Sequence, residues 1–223
     1  MNKLKISQKN NKINSSSIKW DFIKEFKSTH PLMFVHTPKC GGSYCKSLFN
    51  KLGILNLDRF ENDLEVGPRL SHRVATKLHA DNFILFTIIR HPVERFVSLL
   101  NYRLDGRGGD IKSNERITKY IKKMGKDSTI DDFIEMQTDE DILSYTPYRT
   151  LKYFSQHVDI FITIDELDDF LNFFGYENIP KSSKVNTSTR NYGYLSEKNK
   201  ARITRLFKDD IQFYNKHTVK NYL

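Results

Sequence analysis

Cysteine is nearly absent from this chain. Its 223 residues include two, Cys40 and Cys45, and these have neither CxxC spacing nor histidines at ligand intervals. A disulfide framework and a zinc site are therefore not expected, and the plain reading is a pair of reduced thiols. Also missing is any apolar run long enough to span a bilayer. The longest, Phe83–Ile89 and Ile160–Ile164, have strand length and lie inside the chain. The first twenty residues contain lysine but no apolar h-region, so no secretory signal is expected and the chain reads as cytoplasmic. No internal repeat is visible.

The formal charge of +9 is unevenly placed. Residues 1–30 hold seven lysines against Asp21 and Glu25, a local +5, which leaves +4 for the rest. Half of the basicity thus sits in a polar tail, and a nucleic-acid footprint on the folded part is not expected. The remaining positive balance suits an anionic cofactor or acceptor. Residues 1–17 are rich in Asn, Ser and Lys and predict disorder. Trp20, Phe22, Ile23 and Phe26 add a short helical stripe. The organisation expected is a basic tail with a short helix over 1–30 and one domain over 31–223.

From residue 31 strand and helix patterns alternate. Leu32–His36 reads as a strand, Ser43–Leu52 as a helix, and Phe83–Ile89 as a strand buried on both faces. Residues 93–104 read as a helix behind Pro92, with a loop at 105–110. Helices follow at 113–124, 129–137 and 147–156. Asp159–Ile164 reads as a strand, Glu166–Phe174 as a helix ended by Gly175, and 176–195 as irregular. A last helix starts at Ser196 and carries Ile203, Leu206, Phe207, Ile211 and Tyr214 at helical spacing. Buried strands separated by helices mean an α/β sheet with parallel pairs, whose ligands gather at the carboxyl ends of the strands.

Two such strand ends carry chemistry. After the first comes Pro38-Lys39-Cys40-Gly41-Gly42-Ser43, in which glycines admit close backbone approach and a helix start offers free N–H groups to an anion. Ser43 adds a hydroxyl and Lys39 an ammonium. Because Lys39 precedes both glycines, the loop is not of Walker A type. Alone, a Gly-Gly pair after a strand is as readily a tight turn. After the second strand comes Arg90-His91-Pro92-Val93-Glu94-Arg95-Phe96-Val97-Ser98. Here Arg90 and Ser98 could close on one phosphate, and Arg95, Ser98 and Tyr102 share a helix face. Alone, it reads more readily as a strand-end arginine paired with a carboxylate and a solvent-facing serine. The acidic run Asp131, Asp132, Glu135, Asp139, Glu140 and Asp141 reads as a solvated helix face, not a metal cluster, and Glu94 as a solvated charge.

Taken together, P-K-C-G-G-S and R-H-P-V-E-R-F-V-S resemble the two donor-binding segments of sulfotransferases that use 3′-phosphoadenosine 5′-phosphosulfate. The Gly-Gly form resembles the carbohydrate branch, with the heparan sulfate and chondroitin enzymes. Val185-Asn186-Thr187-Ser188 and the Leu206–Tyr214 helix extend the likeness, which covers roughly 31–215 and is weak over 105–155. The resemblance implies a P-loop-NTPase-like three-layer sandwich around a mainly parallel sheet. It implies that Pro38 to Ser43 (Lys39, Cys40, Gly41 and Gly42 between them) hold the 5′-phosphosulfate, with Lys39 also stabilising the leaving oxygen. Arg90 and Ser98 would hold the 3′-phosphate, and Asn186 and Arg190 would close over the nucleotide. Cys40 stands where the family has a hydroxyl, which removes one hydrogen bond to the 5′-phosphate. His72, in Leu70-Ser71-His72-Arg73-Val74, stands where relatives carry a G-H-x base; His36 and His79 are lesser candidates.

The expected chemistry is in-line sulfuryl transfer to a saccharide or other hydroxyl acceptor, an anionic one included. 3′,5′-ADP is the product, and neither a metal nor a nucleic acid is needed. Tyr148 and Arg149 could meet an acidic sugar. Two other readings are a P-loop-type kinase, disfavoured by the missing GK[ST] although Asp165 follows Ile164, and a non-catalytic nucleotide- or polyanion-binding module.

Overall fold

In the computed structural model, residues 30–58, 74–104, 129–144, 150–177, 179 and 195–218 are described. Four parallel strands form one sheet in the order β2-β1-β3-β4, with β1 at Leu32–Phe34, β2 at Leu55–Asn56, β3 at Ile84–Ile88 and β4 at Ile160–Ile162. This is the α/β class that the alternating pattern predicts. The ladder runs past the strand ends, since Val35 N–H donates to the Phe86 carbonyl and Ile89 N–H to that of Ile162, both at 2.8 Å.

Every residue of β1 and β3 is buried, which is why these strands read as continuous apolar runs. One sheet face gathers Leu32, Phe34, Ile84, Phe86 and Ile88; the other gathers Met33, Val35 and Leu85 with Leu57 and Ala75. On the first face Phe34, Phe49 and Phe86 meet pairwise with centroids 4.8 to 5.4 Å apart, and Phe86 reaches Phe170 at 4.9 Å. Such contacts add to the apolar burial that holds the sheet under its helices. The helices are α1 (Gly42–Lys51), α2 (Lys77–Asn82), α3 (Pro92–Leu104), α4 (Ile130–Glu135), α5 (Asp139–Ser144), α6 (Leu151–Phe154), α7 (Leu167–Phe173), α8 (Glu197–Leu206) and α9 (Lys208–His217). None of the described helices is long and apolar enough to cross a membrane.

Several expected boundaries move. The helix expected from Ser196 is two helices, broken at Phe207 (φ −102°, ψ 27°). Its apolar residues serve two clusters: Ile203, Leu206 and Ile211 pack with α3 and α4, whereas Phe213 and Tyr214 pack under the sheet. One straight stripe cannot reach both. The acidic run is not a plain solvated face. Asp132 closes a capping box with Thr129, Asp131 accepts from Ser196 N–H, and Asp139 meets Arg202 and Arg205. Asp131 and Asp139 thus stitch α4 and α5 to α8. The expected elements at 1–26, 105–110 and 113–124, and most of 176–195, fall outside the described residues.

The strand order sets the site. From β1 the chain crosses to β2 on one side, and from β3 to β4 on the other. The segments leaving β1 and β3 therefore diverge between neighbouring strands, the topological switch where α/β sheets hold ligands.

Candidate active site

The β1–α1 loop is built from its underside. Lys39 has φ 64° and Gly41 φ 85°, both left-handed, so two sharp reversals bring the chain into α1. Gly41 is the N-cap, no side chain caps the helix start, and its first turn holds no acidic residue. The starts of α4, α6 and α8 are closed by the side chains of Thr129, Thr150 and Ser196. The start of α1 therefore combines a glycine N-cap with a first turn free of acidic residues, unlike the starts of α7 and α9, which also lack a side-chain cap but carry aspartates in the first turn. Ser43 beside it is exposed.

Gly42 is required by close approach: a Cβ there would overlap the His36 imidazole. His36 is buried, with Nδ1 3.4 Å from Asp58 Oδ2, and that oxygen accepts from Lys46 Nζ at 2.7 Å. Burial holds the His36 pKa below its ordinary value, against the pull of Asp58, so the ring under the loop is neutral near pH 7. Thr87 donates to the Val35 carbonyl at 2.7 Å and meets the Thr37 hydroxyl at 2.9 Å, tying the loop's first residues to β3. At Gly41 a Cβ would lie 3.4 Å from Ile164 Cδ1, so the turn that follows β4 borders the loop.

Cys40 resolves the departure noted in the motif. Its thiol is buried in the core and lies 3.6 Å from the Pro38 carbonyl. Side-chain chemistry at this position faces inward, and what Cys40 can offer an anion is its backbone N–H.

Beyond β3, the two arginines of the second segment divide. The Arg90 side chain is 42% exposed and meets exposed Glu94 through Nε at 3.2 Å, one turn along α3. The pairing read as an alternative from sequence is thus present. Exposed i,i+4 pairs contribute about 0.3–0.5 kcal/mol, little enough for a phosphate to displace. The Arg95 side chain is 10% exposed; its Nε donates to the Pro38 carbonyl at 3.0 Å and its Nη1 lies 3.5 Å from Asp210 Oδ2. Asp210 Oδ1 in turn accepts from Leu151 N–H at 2.9 Å. Burial raises the Asp210 pKa while the Arg95 charge opposes the rise. Arg95 therefore holds the loop's backbone and does not share the open face with Ser98, which is half-buried. Lys39 Nζ sits 3.8 Å from the centroid of the Tyr102 ring, so the loop and α3 also touch above that anchor.

Pro38, Lys39, Gly41, Gly42 and Ser43 thus lie beside the strand end that carries Arg90 and Ser98. His72, Asn186, Arg190, Tyr148 and Arg149 lie outside the described residues. Sequence reasoning missed Asp58, Lys46, Asp210 and the structural task of Arg95; only the repeated arginine in R-x-P-x-x-R hinted at the last.

A four-stranded parallel sheet flanked by helices, with a glycine loop and a strand-end arginine at its switch point, places the chain in the α/β class. The comparison with family models goes further: the model described as the sulfotransferase family matches residues 25–217, and the chain belongs to that family. No curated protein and no solved structure matches it.

Proposed function

We propose that this sulfotransferase moves a sulfuryl group from 3′-phosphoadenosine 5′-phosphosulfate to a hydroxyl of a saccharide acceptor. The observation that carries the reading is the meeting of the glycine loop and the Arg90–Ser98 segment between β1 and β3. The residues fit a donor with phosphate at both ends. The uncapped start of α1, Ser43 and Lys39 suit the 5′ side, and the exposed guanidinium of Arg90 with the Ser98 hydroxyl suits the 3′ side. The bound donor supplies the sulfuryl group and ends as 3′,5′-ADP.

The chain's own tasks follow. Lys39 and the loop N–H groups lower the energy of negative charge that gathers on the departing oxygen, so the scheme calls for no metal. A base must accept the acceptor's proton, and His72 fills that role, since an imidazole is the side chain suited to proton transfer near neutral pH. The two lesser candidates are otherwise engaged: His36 is buried against Gly42 and Asp58, and His79 Nδ1 is held in the Thr76 capping box. Asn186 and Arg190 close over the nucleotide. A saccharide acceptor is favoured by the Gly41-Gly42 form of the loop and by Val185–Ser188.

The test is a screen of sugars with sulfate-labelled donor. We expect transfer to at least one sugar and thermal protection by 3′,5′-ADP but not by ATP–Mg²⁺. Lys39→Ala should lower kcat by about 10²- to 10³-fold, and His72→Ala by about 10²- to 10⁴-fold. Undiminished transfer by the His72 variant would remove it as base. Transfer to no acceptor, with 3′,5′-ADP still bound, would favour the non-catalytic module.

A further inference from the structure

We infer that Tyr102 is a positioning residue for the transfer, the face of its ring holding the Lys39 ammonium at the donor loop. Lys39 Nζ lies 3.8 Å from the ring centroid, within the range in which a cation is drawn to an aromatic face. Three features make the contact a fixed device. Lys39 has φ 64°, a left-handed conformation uncommon outside glycine, which sets the direction in which its side chain leaves the loop. Tyr102 stands one turn beyond Ser98 on α3, so the ring shares a face with the residue assigned to the 3′-phosphate. Arg95, on the same helix, is bonded to the carbonyl of Pro38, the residue before Lys39. Loop backbone and α3 are thus tied at one point, and the ammonium–ring contact closes a second.

A lysine stem samples many rotamers, and ordering it is entropically unfavourable. A ring that orders the ammonium aims it at the bridging oxygen, where charge gathers only as the sulfuryl group departs, so the gain falls mainly on kcat and little on donor KM. The attraction comes from the π-face and not from the hydroxyl. Phenylalanine should therefore substitute and an aliphatic residue should not.

This inference rests on Lys39 being the cation of the transfer. In the free full-length protein, NMR of the Lys39 ε-methylene should give a resonance shifted upfield by the ring, kept in Tyr102→Phe and lost in Tyr102→Leu. In turnover, Tyr102→Leu should lower kcat about 3- to 30-fold with the donor KM within about twofold, Tyr102→Phe should match the parent, and Tyr102→Leu should add nothing in a Lys39→Ala background. Tyr102→Met serves in its place should the leucine variant melt early. Equal losses in the phenylalanine and leucine variants, or no ring-current shift in the parent, would overturn the inference. So would a Lys39→Ala variant that loses turnover beside a Tyr102→Leu variant that keeps it, and that outcome leaves the donor reading intact. Full turnover by Lys39→Ala overturns both.

Discussion

The loop after β1 and the segment after β3 leave neighbouring strands at the same end of the sheet, yet they are built differently. The loop presents backbone, and its shape depends on what lies beneath: His36 under Gly42, the Cys40 thiol turned inward, Thr37 tied to Thr87. The segment presents side chains on a helix and assigns its two arginines opposite surroundings, Arg90 in solvent and Arg95 in the core. The difference teaches where folding and binding can be separated. In the segment a single residue can be changed for one without the other. In the loop the two are coupled, because the groups that would meet the anion are held by the groups that pack the core.

Arg95→Ala should have the largest effect. It strands Asp210 without its buried cation and frees the Pro38 carbonyl, and breaking such a pair costs about 3–5 kcal/mol; urea unfolding measures this. A loss under 1 kcal/mol would mean that Arg95 does not anchor the loop.

Gly42→Ala comes next. The methyl must displace the His36 ring or the start of α1, an overpacking that costs about 1–3 kcal/mol. Binding of 3′,5′-ADP should fall with stability, and pairing it with His36→Ala should recover part of both. If the double variant is no better than the single, the loop is not shaped from beneath.

Arg90→Ala sharpens the contrast from the other side. Stability should stay within about 0.5 kcal/mol, since only an exposed i,i+4 pair is lost, while 3′,5′-ADP should bind about 10- to 100-fold more weakly by calorimetry. A stability loss like that of Arg95→Ala would erase the distinction between the two arginines.

The smallest effect concerns the thiols. Burial pushes Cys40 up to about 11 and Cys45 up to about 12, so at pH 8 both should resist iodoacetamide in the folded protein and react in urea. The sign for stability follows from linkage. Between about pH 9 and 11 the unfolded thiols release protons that the folded ones keep, so stability should fall as pH rises through that window. Alkylation of Cys40 without unfolding would place it at the surface of the loop.

What the sequence made legible was whatever is local. The β1 and β3 runs, the glycine turn, the Ser196 cap and the two motifs are each written in neighbouring residues. Asp58 and Asp210 could not be read that way, because their partners His36 and Arg95 lie 22 and 115 residues away. β2 was missed because two residues, Leu55 and Asn56, carry no period. The break at Phe207 was hidden because α8 and α9 share one apolar stripe until it turns between clusters.

The Arg95–Asp210 pair has a consequence for how such a chain is made. The glycine loop and the Arg90–Ser98 segment are both synthesised within the first hundred residues, but the carboxylate that holds Arg95 arrives with α9. Until then the loop has its sequence and its strand but lacks the charge that steadies its anchor. A nascent chain halted before residue 210 therefore carries both motifs without the carboxylate that steadies the loop's anchor. Setting the loop is then a late event in synthesis, sealed by a contact between residues 115 apart in sequence.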